Sequence, residues 1–363
     1  MKMGNDMKFY IIAFTSAGIR LGIQMKQIKK RDAIEEIQLF GWHKYGKENV
    51  DEGFTDEVIP FYSTKQLVKS LWKKENFILF IGATGIAVRS IAPFLIDKTC
   101  DPAVLVMDDT GTFIISLLSG HLGGANEFCE QLAKQFHATS VITTATDRNH
   151  CFAVDLFAKK NNLWIVDWHT IKAISGRILE GKSVGLISEY KIEGMLPNGL
   201  VDLKDTTERE VGITVMSKLG APYFKEECRL LPKNLVVGIG CKKGKKPEEL
   251  RLFLEELLLE YELPKQRVQL FVSIDRKKEE PAILDLAEKW EVPFWTYTAE
   301  DLNGINGDFE ESEFVQQTVG VSNVCERSAY IGSHYGKKLV GKHTKDGMAL
   351  AIYEKEMKLT MVW

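Results

Sequence analysis

Between Leu117 and Glu127 the chain reads LLSGHLGGANE. A hydroxyl (Ser119), an imidazole (His121) and three glycines (Gly120, Gly123, Gly124) fall where an apolar strand pattern, Phe113–Leu118, gives way to a helical one, Ala125–Phe136. The first N–H groups of a helix lack intrahelical partners, and the helix dipole favours an anion there. An imidazole with an ordinary pKa near ~6.5 exchanges protons at neutral pH. Together these groups suit holding an anion or a polarised carbonyl while a proton moves. On a continued strand Ser119 and His121, two apart, share a face. The run Leu-Leu-Ser-Gly-His is not a G-x-S-x-G elbow, so Ser119 has little support as a nucleophile. On residue type alone His121 is equally a structural histidine.

Other polar or glycine-rich clusters follow strand-like runs, where open α/β sheets bind ligands. Gly82-Ala-Thr-Gly85-Ile-Ala-Val-Arg89 loosely resembles a phosphate loop. It lacks the Lys-Ser/Thr of a Walker motif and the third glycine of a dinucleotide fingerprint. Arg89 reads either as a solvated surface arginine or as a bidentate carboxylate clamp. In Lys98-Thr-Cys-Asp101-Pro102, Asp101 is a turn former or a ligand group. Thr143-Thr144-Ala-Thr-Asp147 ends a strand with hydroxyls and a carboxylate that would cap a helix or bind a polar ligand. Further on, Gly238-Ile-Gly240-Cys-Lys242-Lys-Gly244 and Asp275-Arg-Lys277-Lys-Glu279-Glu280 carry charge that is either solvated or gathered for a polyanion.

The elements that position these clusters alternate. Strands are predicted at Phe9–Phe14, Phe77–Ile81, Ala103–Met107, Phe113–Leu118, Ser140–Thr144, Ser183–Ile187, Leu235–Ile239, Val268–Ile274 and Phe294–Tyr297. Helices are predicted from about Ile19 and over Ala87–Leu95, Ala125–Phe136, Asp155–Asn161, His169–Glu180, Pro247–Leu263 and Pro281–Trp290. Asp108-Asp-Thr-Gly111 makes a hairpin turn, and Lys337–Val340 with Met348–Tyr353 a closing hairpin. The pattern predicts an α/β fold of layered, largely parallel sheets with flanking helices. An N-terminal α/β domain is expected over 1–137, a central region over 138–222, a linker over 223–234, and a separate C-terminal α/β domain over 235–357.

Composition narrows the classes. Of 363 residues 45% are hydrophobic, and 47 basic against 50 acidic residues give a net charge of −3. That balance speaks against a nucleic-acid binder. None of the six cysteines lies in a C-x-x-C pair, which suggests free thiols in a reducing compartment. No His/Cys/Asp/Glu group has metal-ligand spacing. No run approaches the ~20 apolar residues of a membrane span, and Phe9–Phe14 is shorter than a signal-peptide core. No membrane association and a cytoplasmic location are therefore expected.

Taken together, GATGIAVRSIAPFLIDKTCDPAVLVMDDTG, SLLSGHLGGANE, VITTATD, VVGIGCKKG, SIDRKKEEPAILDLA and VGVSNVCERSA resemble the cobalamin biosynthesis CbiG family, the cobalt-precorrin-5A hydrolases. The likeness runs from about Phe77 to Tyr353. It implies an enzyme of the anaerobic, early-cobalt route to vitamin B12. Such an enzyme opens the δ-lactone of a cobalt-containing corrinoid and releases acetaldehyde. It needs no cofactor of its own, because cobalt arrives with the substrate. The corrinoid is the expected partner, and neighbouring enzymes of the cobalamin pathway are candidates. Against this chemistry His121 is the expected base and Ser119 or Asn126 would position water or the lactone carbonyl. N–H groups around Gly123 and Gly124 would hold the oxyanion, and Glu280 is a second base. Substrate contacts are expected from Gly85, Arg89, Lys98, Asp101, Thr143, Thr144, Asp147, Gly240, Lys242, Asp275, Lys277 and Glu326. The chain departs from the family pattern at Lys242 (arginine is common), Glu279 (aspartate) and Cys100 (threonine). A lysine cannot reproduce the bidentate contact of arginine. Two other readings remain open: a non-catalytic corrinoid binding or delivery protein, and an unrelated nucleotide-using α/β enzyme.

Overall fold

The computed structural model describes residues 7–26, 34–44, 58–97, 100–121, 123–143, 151–203 and 209–361. The chain divides into two compact units, Met1–His150 and Cys151–Trp363.

The first unit runs β1 (Met7–Ala13), α1 (Ser16–Lys26), β2 (Ile34–Trp42), β3 (Val58–Phe61), α2 (Thr64–Leu71), β4 (Phe77–Ile81), α3 (Thr84–Ile91), β5 (Ala103–Met107), β6 (Phe113–Leu118), α4 (Ala125–Phe136) and β7 (Thr139–Val141). One sheet takes the order β3-β2-β1-β4-β5-β6-β7. Strands β1 and β4 lie inside it and are buried on both faces, so they read as unbroken apolar runs. Alternate residues serve two cores. Phe9, Ile11, Leu79, Ile81 and Leu105 pack with Ile19 and Ile23 of α1 and Leu132 of α4. Tyr10, Ile12, Ile78, Phe80 and Val104 pack with Val68 and Leu71 of α2 and Ala87 and Ile91 of α3. Helices thus cover both faces, and strand order reverses between β1 and β4. The helix expected over Ala87–Leu95 starts at Thr84, and its axis changes to a 3-10 turn at Ala92–Phe94. Pro93 there cannot donate a helical hydrogen bond.

Direction within the sheet matters for the site. Strands β3, β2, β1, β4 and β5 run parallel. The hairpin turn sends β6 back antiparallel to β5, and β7 runs parallel to β6. Chain leaving β6 or β7 therefore emerges at the edge where β4 and β5 begin.

The second unit holds two sheets. Its central part contains α5 (Val154–Lys160), β8 (Leu163–Ile165), α6 (Thr170–Leu179), β9 (Val184–Ser188), β10 (Ile192–Glu193), β11 (Leu200–Asp202), β12 (Val211–Val215) and β13 (Glu226–Pro232). Here the sheet order is β11-β9-β12-β13-β8, with β8 antiparallel to β13. The stretch expected as a linker over 223–234 contains β13 and is correspondingly not a linker. Cys228 and Leu230 are buried in the central core and alternate with charged Glu227 and Arg229, which hid the strand.

The C-terminal part runs β14 (Leu235–Cys241), α7 (Pro247–Glu260), β15 (Val268–Ile274), α8 (Pro281–Trp290), β16 (Phe294–Tyr297), α9 (Ala299–Asn303), α10 (Glu313–Val319), α11 (Val324–Gly332), β17 (Lys337–Lys345), β18 (Met348–Glu354) and β19 (Leu359–Thr360). Its sheet order is β16-β15-β14-β18-β17. Helices α7 and α8 bury Leu250, Leu254, Ile283 and Leu286 on one face, while α11 brings Cys325 and Ala329 to the other. A Cβ at Gly238 would stand 1.8 Å from the Cys325 carbonyl oxygen, so the helix crosses β14 where only glycine fits.

Two devices join these parts. Strand β19 returns to pair with β10, and Asn161 exchanges hydrogen bonds with the Thr360 backbone at 2.7 and 3.0 Å. Arg267, 1% exposed, donates to Glu354 at 2.6 Å and Asn234 at 2.7 Å. It also donates to the Ser217 carbonyl at 3.1 Å and the Tyr190 hydroxyl at 3.4 Å.

Candidate active site

The β6–α4 turn is wound tightly. Ser119 has φ +57°, so the strand ends there and the shared-face relation of Ser119 and His121 does not hold. Ser119 Oγ donates to the Asp101 carbonyl at 3.0 Å. The first amides of α4 close back on the turn: Gly124 N donates to His121 O at 3.1 Å, Ala125 N to Ser119 O at 3.3 Å, and Asn126 N to Gly120 O at 3.0 Å. The Gly124 amide expected as an oxyanion donor is thus occupied by the turn itself. This is one of the ordinary ways in which a helix start satisfies its orphan donors. Packing explains two of the glycines. A Cβ at Gly123 would lie 2.5 Å from Ser119 Cβ, and one at Gly120 would lie 2.5 Å from Asn126 Oδ1. Gly124 has φ +85°. The result is a rigid turn with His121 half-buried at its tip and Asn126 buried behind Gly120.

Asp101 is 5% exposed. Its two oxygens accept from Ile96 N at 3.1 and 3.2 Å, and Oδ1 also accepts from Trp72 Nε1 at 3.4 Å. This carboxylate anchors the loop before β5, contrary to the substrate contact expected of it. Exposed Thr143 leaves β7 at the same edge as the turn. Lys98, Thr144 and Asp147 lie outside the described residues.

Gly85 and Arg89 belong elsewhere. They follow β4, at the opposite edge of the sheet from Ser119, separated by the length of a five-residue strand, roughly 16 Å at ~3.3 Å per residue. The Arg89 guanidinium folds back over the first turn of α3, with Nη1 3.4 Å from where a Gly85 Cβ would stand. This edge holds the switch point between β1 and β4, where doubly wound sheets bind ligands. Thr15 and Asp109, neither of them among the expected site residues, meet there: Thr15 Oγ1 donates to Asp109 Oδ2 at 3.4 Å and accepts from Gly18 N at 3.0 Å. The Thr-Ser-Ala-Gly run after the first strand was the available signal. The structure therefore splits the expected residues of this unit into two groups rather than one pocket.

In the second unit Gly240, Lys242, Asp275, Lys277 and Glu280 gather at the carboxyl ends of β14 and β15. Glu280, 6% exposed, accepts from Gly244 N at 3.2 Å and from Lys277 Nζ at 2.7 Å. Both oxygens are engaged, so its carboxylate holds the lysine and the β14 turn in place rather than standing ready as a base. Burial pushes the nearby Cys241 thiol up; Lys277 opposes the shift and Glu280 adds to it. The exposed Lys242 lays its stem over Gly347 and donates its amide to Gly347 O at 2.9 Å. Asp275 is exposed and accepts from Arg276 N at 2.7 Å. Gly240 faces Ala349, where an added Cβ would make ordinary contact at 3.6 Å. Glu326 is separate from this cluster. It is 1% exposed, and it accepts from Asn323 Nδ2 at 2.6 Å and Glu310 N at 2.8 Å and pairs with Lys338 at 3.0 Å. It braces the start of α11, contrary to the substrate contact expected of it. Among the described residues no group of three or more His, Cys, Asp or Glu is placed to hold a metal ion. No described helix is long and apolar enough to cross a membrane.

A doubly wound N-terminal sheet followed by central and C-terminal α/β parts defines a three-part α/β protein, and comparison with known proteins gives its class. Family models match in order: Cobalamin synthesis G N-terminal at residues 66–147, Cobalamin biosynthesis central region at 152–282, and Cobalamin synthesis G C-terminus at 235–353. A cobalt-precorrin-5A hydrolase of Salmonella typhimurium is 38% identical over 269 residues, covering 70% of this chain and 75% of that protein. A cobalt-precorrin-5A hydrolase of Priestia megaterium is 28% identical over 346 residues, covering 90% of this chain and 89% of its own. A probable cobalt-precorrin-5A hydrolase of Methanocaldococcus jannaschii is 29% identical over 309 residues, covering 82% and 89%. The chain belongs to the CbiG family of cobalt-precorrin-5A hydrolases.

Proposed function

We propose that this protein is a cobalt-precorrin-5A hydrolase. It opens the δ-lactone of a cobalt-containing corrinoid and releases acetaldehyde, giving cobalt-precorrin-5B in anaerobic cobalamin synthesis. The observation that carries the reading is the 38% identity to the Salmonella enzyme over 269 residues. The cobalt is part of the substrate, and the chemistry assigned below draws on no resident cofactor.

The reaction begins when water attacks the lactone carbonyl. His121 takes the water proton and returns it to the departing alkoxide, a general base turned general acid. The Gly123 amide is the donor assigned to the oxyanion, and Asn126, packed behind Gly120, shapes the turn that presents it. Ser119, tied to the Asp101 carbonyl, keeps the turn in register. The freed hydroxyl then loses its proton to neutral His121. The bond from its carbon to the macrocycle breaks, acetaldehyde departs, and the ring carbon receives the electron pair and finally the proton.

The test is anaerobic incubation of the purified protein with cobalt-precorrin-5A, measuring acetaldehyde and the mass of the corrinoid product. Acetaldehyde equimolar with the corrinoid consumed is expected. Corrinoid recovered unchanged from folded protein would mark a carrier instead.

A further inference from the structure

The central sheet carries a cavity that the chemistry above does not use. Helices α5 and α6 cover one face of this sheet. Over the other face lies the loop that follows β12. The Phe224 ring anchors it: a Cβ at Gly185 would come within 2.4 Å of that ring, and one at Gly212 within 2.3 Å. Glycine at both positions lets the ring sit on the strands. Glu227 pins the same loop, accepting from Tyr223 N at 2.5 Å and Phe224 N at 3.2 Å. Glu189 accepts from Ser217 N at 2.7 Å. A cavity of about 400 Å³ remains between loop and sheet, within the usual range of small-molecule pockets.

Arg229 is the oriented charge in that cavity. It stands opposite Thr214 in the ladder of β12 and β13. Its Nε donates to Glu227 Oε1 at 3.0 Å, and the same oxygen accepts from Thr214 Oγ1 at 2.9 Å. Among the described residues this is its one side-chain hydrogen bond, which leaves the two terminal amino groups to the cavity. The cavity's other charges are answered: Glu227 accepts from four donors, Glu189 from an amide, and Lys218 pairs with Glu262 at 2.5 Å. Met216, Leu219, Pro222 and Tyr223 supply apolar wall, and Leu219 and Tyr223 are 49% and 46% exposed at the surface.

We propose that this cavity is a carboxylate-recognition site, in which Arg229, fixed by Glu227, grips the carboxylate of a ligand whose apolar part lies under the 218–223 loop. A planar guanidinium held along its Nε edge presents its Nη pair as a fork suited to a carboxylate. The carboxylate has two sources. One is an acetate or propionate arm of the corrinoid, which rests on the function proposed above. The other is a free small carboxylic acid, which does not.

Calorimetric titration of the full chain with cobyrinic acid and with glutarate separates these sources. Arg229→Gln removes the charge and keeps a shorter, unbranched polar side chain. Leu219→Glu changes an exposed position and sets a competing carboxylate at the mouth. Loss of a charge-assisted pair predicts roughly 10- to 100-fold weaker binding in Arg229→Gln, with a similar loss in Leu219→Glu. Should Arg229→Gln melt early, Leu219→Glu carries the test. Weakening confined to cobyrinic acid supports the corrinoid arm, and weakening of glutarate supports a small acid. Binding of both probes unchanged in the variants, or binding of neither to the wild type at millimolar concentration, overturns the proposal. Acetaldehyde release is scored separately, so a failed hydrolase reading and a failed cavity are told apart.

Discussion

Replacing Arg267 with methionine tests how the central and C-terminal parts are held together. The change keeps an unbranched apolar stem and deletes the guanidinium. It removes donors to Glu354 at 2.6 Å, Asn234 at 2.7 Å and Ser217 O at 3.1 Å. Asn234 is 2% exposed and left with a lost donor, whereas the Glu354 side chain is 21% exposed and partly hydrated. Breaking a buried pair from one side costs ~3–5 kcal/mol. Hydration of Glu354 places this case at the lower end, about 3 kcal/mol. For a unit of this size each kcal/mol moves the midpoint by ~2–4 °C, so a fall of roughly 6–12 °C is expected. Scanning calorimetry of wild type and variant measures it. Adding Glu354→Gln to Arg267→Met removes the stranded charge, so the double variant should melt above the single one. A single variant within ~2 °C of wild type, or a double variant that melts lower still, would show that Arg267 does not hold the two parts together.

Other consequences follow from separate features. Gly123→Ala forces a methyl to within 2.5 Å of Ser119 Cβ; acetaldehyde turnover should fall by ~100-fold, the effect of a shift near 1 Å at a reacting group. Thermal unfolding of that variant should show a cost of only ~1–3 kcal/mol, and full turnover would detach the turn from catalysis. Burial pushes the thiols of Cys129 and Cys228 up to about 11 and that of Cys325 up to about 12, while Cys100 is exposed. At pH 8 a disulfide reagent should therefore label Cys100 first and the other three only on unfolding, and Cys100→Ser should abolish the fast phase. Burial also raises the Tyr190 hydroxyl to about 12, with Arg267 opposing and Glu354 reinforcing the shift. The folded state then holds a proton that the unfolded tyrosine loses near ~10. That stability is fully present below pH ~10 and disappears as pH rises toward 12. Urea unfolding of wild type and Tyr190→Phe across that interval should show a steeper alkaline decline in the wild type.

Elements with unbroken apolar runs and sharp punctuation were legible in the residues. Strands β4, β5 and β6 fall where the runs Phe77–Ile81, Ala103–Met107 and Phe113–Leu118 place them, and Pro281 opens α8 as expected. Strand β2 was missed because its Ile-Glu-Glu-Ile-Gln start lacks a buried run, and β13 because prolines and charges surround Cys228 and Leu230. Strand direction had a larger effect on the site. The Asp108–Gly111 turn announces the reversal at β6, yet its consequence is three-dimensional: polar loops after β4 and β6 leave opposite edges of one sheet. Residue type also leaves burial open. Asp101, Glu280 and Glu326 carry the carboxylates that an active site uses, but backbone amides, Trp72, Lys277 and Lys338 engage them. The β6–α4 turn kept its position at a strand-to-helix junction, while its amide donors proved partly committed.

Acetaldehyde release from cobalt-precorrin-5A by wild type and His121→Gln is the most direct test. Stoichiometric acetaldehyde is expected from the wild type. In the variant kcat should fall by ~10²–10⁴-fold, the usual contribution of a positioned acid–base group, with corrinoid affinity and melting temperature unchanged. Full turnover by His121→Gln would remove the imidazole from the chemistry, and a folded wild type that releases no acetaldehyde would contradict the function itself.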